Sequence, residues 1–342
     1  MRRIVIERPG SYAALQLIES ATPAPRVGEV RIKVEAAGVN YADSIIRMGL
    51  YESAKQLAGY PLTPGFELAG TIEALGADVE GWRVGEPVIG VTLFGGYTSH
   101  ICLPLDRVFR RPAALDARQA AAIPTVFLTA WFMVRRQVYP QAGDVWLVHS
   151  AAGGVGGALA QLGHNAGVRV IGVVGGEHKR AAALAAGCAV AISTASEALW
   201  PRAAALAPGG YSAIFDANGV KTLADSYAHL APMGKLCVYG FASMLPRNGR
   251  LNWFKLAWDW LRTPRFSPLK MTRDNRSVMA ANLSFLSAHA PLLAEGMREL
   301  LDQFERGLLK PPPITAYPLD RVADAHRAIE SGQTVGKLVL EP

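Results

Sequence analysis

Cysteine is scarce in this sequence: Cys102, Cys188 and Cys237 are odd in number, far apart and flanked by apolar residues. That argues against a disulfide framework or a four-cysteine zinc lobe, and reads as reduced core thiols in a cytoplasmic protein. Charged residues are also few, 18% against 50% hydrophobic, which excludes a disordered chain. A long apolar run is missing too. The most apolar window, "AAAIPTVFLTAWFMV" (120–134), is shorter than the ~20 residues a membrane span needs and contains Pro124. The opening "MRRIVIERPG" turns polar after three apolar residues, so no secretory leader is expected. Internal repeats and low-complexity stretches are lacking as well.

The net charge of +7 comes from scattered basic residues, and pairs such as "RR" (2–3, 110–111, 135–136) never extend further. Nucleic acid needs a denser basic patch, so the charge reads as a solvated surface that also suits anionic cofactors. At 342 residues the chain is long for one core, and two domains are expected.

The first third alternates short apolar runs with Gly and Pro. "RRIVI", "EVRIKVEAAGV", "LAGTIEAL", "EPVIGV" and "GYTSHICLP" read as strands of a β-rich domain. From Gln119 strands alternate with Ala-rich helices, the pattern of a parallel sheet covered on both faces. Candidate strands at 145–150, 169–174, 189–192, 213–217, 235–240 and 276–283 make a six-strand doubly wound α/β unit. "ITAYPL" and "GKLVL" near the end are strand-like and expected to rejoin the first domain. The expected boundaries are 1–122 with 286–342 for the β-rich domain and 123–285 for the parallel one.

The stretch "VWLVHSAAGGVGGALAQLGHNAG" (145–167) joins an apolar strand to a helix through a Gly-rich turn. In the register G-x-G-x-x-G the positions are Ala151, Gly153 and Gly156, with Gly154 and Val155 between the last two. Small residues there let the backbone approach a pyrophosphate, which faces the free N–H groups of the helix start. A chain built for NAD carries Asp or Glu at the end of the second strand to hold the ribose 2′-hydroxyl. Here Gly175 stands at that point, followed by His178, Lys179 and Arg180, which accept a 2′-phosphate; NADPH is therefore the expected cofactor. Glu177 opposes that reading from two residues further on, and Lys179 and Arg180 also serve simply to solvate a helix start.

A catalytic zinc needs converging Cys, His and acidic ligands. The segments "GVNYADS" (38–44) and "PGFELAG" (64–70) hold Asn40 and Phe66 where such ligands would stand, so no metal is expected. Without a Lewis acid, quinones and conjugated carbonyls suit better than simple ketones, because hydride enters at a carbon whose charge spreads to a distant oxygen.

"AGVNYADSIIRMGLY" (37–51), "TPGFELAGTIEALG" (63–76), "RVGEPVIG" (83–90), "LTAW" (128–131), "AAGGVGG" (151–157) and "GKLVL" together resemble the zinc-independent quinone oxidoreductases of the medium-chain dehydrogenase/reductase superfamily. "APMGKLCVYGFASM" (231–244) and "NRSVMAANLSFL" (275–286) further resemble its branch containing the vesicle amine transport protein, a synaptic-vesicle membrane protein. The resemblance implies a GroES-like domain, a Rossmann domain, a cleft between them, a homodimer, and NADPH-dependent reduction of quinones or enones. It implies Asn40 and Tyr51 at the substrate and nicotinamide, and Thr129 near the nicotinamide. Gly153 to Gly156 would lie under the pyrophosphate and Lys179 at the 2′-phosphate. Asn218, Gly219, Gly240 and Phe241 would pass along the cofactor, with Asn282 and Leu283 closing over it. Two positions depart from the family: Ile45 where many members have a second tyrosine, and Thr194 where some set a tyrosine against the 2′-phosphate.

A second class remains open: a nucleotide-binding protein of low turnover that works through membrane or protein contacts. Its sequence support is "NWFKLAWDWLR" (252–262), where Trp253, Phe254, Ala257, Trp260 and Leu261 share a helical face. Such a face also suits packing on its own protein or on a dimer mate.

Overall fold

The computed structural model describes residues 1–245 and 251–342. The chain forms two compact units, Met1–Leu128 with Leu283–Pro342, and Thr129–Asn282.

In the first unit the long strand Glu29–Val39 begins with Val30, Ile32 and Val34 buried and Arg31, Lys33 and Glu35 facing outward, the period-two pattern of a half-covered strand. It pairs antiparallel with Glu67–Leu75, His100–Pro104 and Lys337–Glu341. The sheet runs on through Pro87–Val91 to Val108–Arg110 at one end, and through Lys337–Glu341 to Ile314–Pro318 at the other. Its core gathers Val30, Ile32, Leu68, Ile72, Val88, Leu338 and Leu340 with Leu319 and Val322. The helix Tyr41–Arg47 is tied to the helix Val322–Ser331 by a buried ion pair, Arg47 Nη2 to Glu330 Oε1 at 2.6 Å.

The second unit holds six parallel strands in the spatial order Val190–Ser193, Arg169–Val174, Val145–His149, Tyr211–Asp216, Leu230–Val238, Ser277–Ala280. The inner strands read as unbroken apolar runs because helices cover both faces; Trp146, Leu147 and Val148 are fully buried. The order reverses between Val145–His149 and Tyr211–Asp216. Chain connections leave these two neighbours in opposite directions, opening a crevice at their carboxyl ends.

The amphipathic stretch forms the helix Trp253–Arg262, capped by the Asn252 side chain on the Lys255 N–H at 2.9 Å. Its polar side is the seated one. Asp259 is only 9% exposed and bonds Lys255, which donates to the Ser243 carbonyl at 3.0 Å. Phe254, 91% exposed, and Trp253, Trp258, Trp260 and Leu261 face outward. No helix among the described residues is long and apolar enough to cross a membrane.

Candidate active site

The Gly-rich turn follows Val145–His149 directly. Ser150 takes the left-handed region at φ 56°, and the helix Gly154–Asn165 starts behind Gly153. A Cβ on Gly156 would lie 2.3 Å from the Ser150 carbonyl oxygen and 2.8 Å from the Ala151 Cα, so glycine is what lets the helix start lie so close to the turn. Ala151 is fully buried, and its methyl would stand 2.8 Å from a Cβ on Gly172 of the next strand. The cradle suits a pyrophosphate, because the first N–H groups of a helix have no partner within it and point towards the turn.

At the end of Arg169–Val174 nothing lies within 4 Å of a Cβ built on Gly175, so packing within the protein does not explain the glycine. The next residues form a short turn, Glu177–Lys179. Arg180 is committed: its Nε meets Glu177 Oε2 at 2.6 Å, and it also bonds Glu197 and the Ala191 carbonyl. Hydrogen bonds from Arg180 and Ser196 hold the Glu177 carboxyl down at about 2. The acid that opposed a 2′-phosphate is thus matched by a cation of its own. Lys179, beside it, is half-buried, and Thr194 Oγ1 donates to the Val174 carbonyl at 3.4 Å.

Two loops stand on the carboxyl side of the later strands. Gly219, at φ 83°, would press a Cβ to 2.7 Å from the Phe241 ring, and one on Gly240 would lie 2.8 Å from the Ala217 carbonyl. Backbone bonds from Ala242 to Ala217 and from Ser243 to Asn218 lock the pair together. Asn218, Gly219, Gly240 and Phe241 are therefore brought to one place. Thr129 lies in the helix Pro124–Met133, Asn282 follows the strand Ser277–Ala280, and Leu283 opens the turn Leu283–His289.

In the first unit Asn40 precedes the helix Tyr41–Arg47 and is buried. Its Nδ2 donates to Glu67 Oε1 at 2.8 Å, and its Oδ1 accepts from Lys337. Lys337 also pairs with Glu67 at 2.6 Å, and Glu67 Oε2 accepts the Thr125 N–H. Asp43 accepts from the Asn40 N–H, the Gly65 N–H and the Tyr97 hydroxyl. Burial, first of all, raises Asp43 to about 7. Tyr51 packs edge-on against Phe66, ring centroids 6.1 Å apart, and Phe66 in turn lies against Phe94. The Tyr51 hydroxyl sits 2.8 Å from Ser284 Oγ, and burial raises its pKa. Asn40 thus bonds Glu67, and Tyr51 packs on Phe66, the residue before it in the chain. Among the described residues no group of three or more His, Cys, Asp or Glu side chains is placed to hold a metal.

Sequence reasoning missed Lys337, Glu67, Asp43 and Ser284. A faint signal existed for Lys337 and Glu67, charged residues opening apolar strands, where a buried charge needs a partner. Ser284 had none.

Residues 26–113 match the alcohol dehydrogenase GroES-like domain family, and residues 186–340 the zinc-binding dehydrogenase family. The chain is 31% identical to the human synaptic vesicle membrane protein VAT-1 homolog, over all of this chain and 86% of that one. It is 30% identical to the rat quinone oxidoreductase, over 99% of this chain and 97% of the other. The crystal structure of the Escherichia coli quinone oxidoreductase complexed with NADPH superposes with a TM-score of 0.86 at 26% identity, covering both chains fully.

Proposed function

Because this chain belongs to the medium-chain dehydrogenase/reductase superfamily, beside the quinone oxidoreductases and VAT-1 homologues, we propose that it is a zinc-independent, NADPH-dependent reductase of quinones or α,β-unsaturated carbonyls. The observation that carries the cofactor choice is the end of Arg169–Val174: open space at Gly175, Glu177 neutralised by Arg180, and Lys179 beside them. When bound, NADPH supplies the hydride.

This chain's own residues supply the rest. Ala151, Gly153, Gly154, Val155 and Gly156 hold the pyrophosphate, and Lys179 the 2′-phosphate. Thr129, Asn218, Gly219, Gly240, Phe241, Asn282 and Leu283 line the remainder. Zinc independence is supported by Lys337, whose ammonium lies within bonding distance of Asn40 and Glu67 where a divalent ion would meet repulsion. Phe66, at the other ligand position, is spoken for by its aromatic neighbours. Tyr51, with its pKa raised by burial, orients and polarises a substrate oxygen more than it donates a proton, and solvent completes the reduction. Asn40, with both ends of its amide engaged by Glu67 and Lys337, is the second residue of the substrate and nicotinamide site.

Three scattered cysteines that form no disulfide support a cytoplasmic setting, and the family resemblance supports a homodimer. Light scattering on the purified chain reads the oligomer directly. The reading is tested by following NADPH absorbance against a panel of quinones and enones. Turnover with NADPH, unaffected by chelators, is expected; a chain that neither oxidises nor binds NADPH would sink it. The outward apolar face of Trp253–Arg262 favours a second reading, a low-turnover nucleotide binder acting through contacts. Liposome flotation run beside the turnover assay separates the two.

A further inference from the structure

His149 ends the strand Val145–His149 and Asp216 ends Tyr211–Asp216, so the two lie side by side where the strand order reverses. Both are fully buried, as is Ser226 on the helix Leu223–Ala228. Asp216 Oδ1 accepts the backbone N–H of Asn218 at 2.8 Å and of Gly219 at 3.0 Å. Asp216 Oδ2 accepts from Ser226 Oγ at 2.9 Å. Ser226 Oγ lies 3.2 Å from His149 Nε2, and His149 Nδ1 lies 3.3 Å from Asn218 Nδ2.

The donors can run one way only. A carboxylate only accepts, so Ser226 must donate to Asp216 and take the Nε2 proton of the imidazole. That leaves Nδ1 of the neutral ring to accept from the Asn218 amide nitrogen. The ring of bonds closes on the loop it started from, since Asp216 holds the Asn218 backbone. Burial lowers the His149 pKa, against the Asp216 charge, and keeps the imidazole neutral as this direction requires. The trio is not a nucleophile: Ser226 is sealed from solvent and its proton points to the carboxylate, leaving nothing for the histidine to remove.

In an open parallel sheet a ligand lies outside the carboxyl ends of the strands at the switch point, directly over this network. We infer that His149 and Ser226 are positioning residues for the dinucleotide: they fix the Asn218 amide at the switch point, with its nitrogen towards the imidazole and its oxygen the end left for ligand. This rests on the NADPH reading above and adds that the part of the dinucleotide beyond the adenosine is held through Asn218.

The test compares two ligands by calorimetry, NADPH and adenosine 2′,5′-bisphosphate, which carries only the adenosine half. His149→Phe and Ser226→Ala should each weaken NADPH about tenfold, the worth of one hydrogen bond, and leave the bisphosphate affinity unchanged. Unchanged bisphosphate binding also certifies that the variants fold. Adding His149→Phe to Asn218→Ala should cost NADPH nothing beyond Asn218→Ala alone. Parallel loss of both ligands, no loss of either, or full additivity with Asn218→Ala each overturns the inference. An unmodified chain that binds neither ligand overturns the NADPH reading and this one with it, whereas an unchanged ratio overturns this one alone.

Discussion

Lys179 and Tyr51 are the two side chains whose chemistry can be read one at a time. Lys179 closes the turn that follows Gly175, and its neighbours Glu177 and Arg180 are matched to each other. Lys179→Ala should weaken NADPH by about 1.5–3 kcal/mol, a charge-assisted bond, while NADH affinity holds. Equal loss of both cofactors in a titration would mean that Lys179 only solvates the helix start. Tyr51 differs, because its hydroxyl is shared with Ser284 and burial makes it a weaker acid. A quinone's reduced oxyanion is stabilised by its own ring; an aliphatic enolate is not. Tyr51→Phe should therefore slow enone reduction several-fold more than quinone reduction, with NADPH affinity unchanged. Equal losses on both substrates, with cofactor binding falling too, would make Tyr51 structural.

Helix and turn meet at Gly156, and here the sequence pattern has a steric cause. A Cβ at Gly156 would collide with the Ser150 carbonyl at 2.3 Å, whereas one at Gly157 would find its nearest atom at 3.8 Å. Gly156→Ala should thus cost about 1–3 kcal/mol in urea unfolding and impair NADPH binding, because the helix start must retreat from the turn. Gly157→Ala, in the same helix, should be neutral or stabilising by up to about 1 kcal/mol. If the two variants behave alike, close approach is not what glycine supplies at 156. The helix Trp253–Arg262 teaches the opposite lesson. Its periodicity was legible, but which side packs was decided by Lys255, which bonds Asp259 on its own helix and the Ser243 carbonyl beneath, leaving the tryptophans outside.

Over the whole molecule, two buried groups set opposite responses to pH. Asp43 is raised from 3.8 to about 7, chiefly by burial. Its contribution is full below its unfolded value and is lost as pH rises through about 7. His326 is lowered from 6.5 to about 3 by burial, with Arg47 adding to it. Its contribution is full above its unfolded value and is lost as pH falls towards about 3. Between 3.8 and 6.5 the folded chain holds one proton more at Asp43 and one fewer at His326. Each gives a slope of about 1.4 kcal/mol per pH unit, of opposite sign, and His149, lowered by burial as His326 is, adds to the histidine side. In that window Asp43→Asn should make stability fall more steeply with acid than in the parent, and His326→Phe less steeply. Denaturant titrations across pH read both slopes; if neither variant changes the parent's slope, the burial account fails.

What the sequence determined by itself was the local and periodic part: the strands and helices, the doubly wound sheet, the Gly-rich turn, Gly175 in place of an acid. Those follow from side-chain size, period and backbone freedom, which a short stretch carries whole. Only the tertiary structure decided which polar groups meet. Lys337 reaches Asn40 from 297 residues along the chain and meets Glu67 as well, and Ser284 reaches Tyr51 from 233 residues away. His149 looked like any lone histidine in an apolar strand, until Tyr211–Asp216 was laid beside it with Ser226 and Asn218 in reach. Hydrogen bonds act over about 3 Å, and no spacing along the chain records which distant groups folding will bring within that reach.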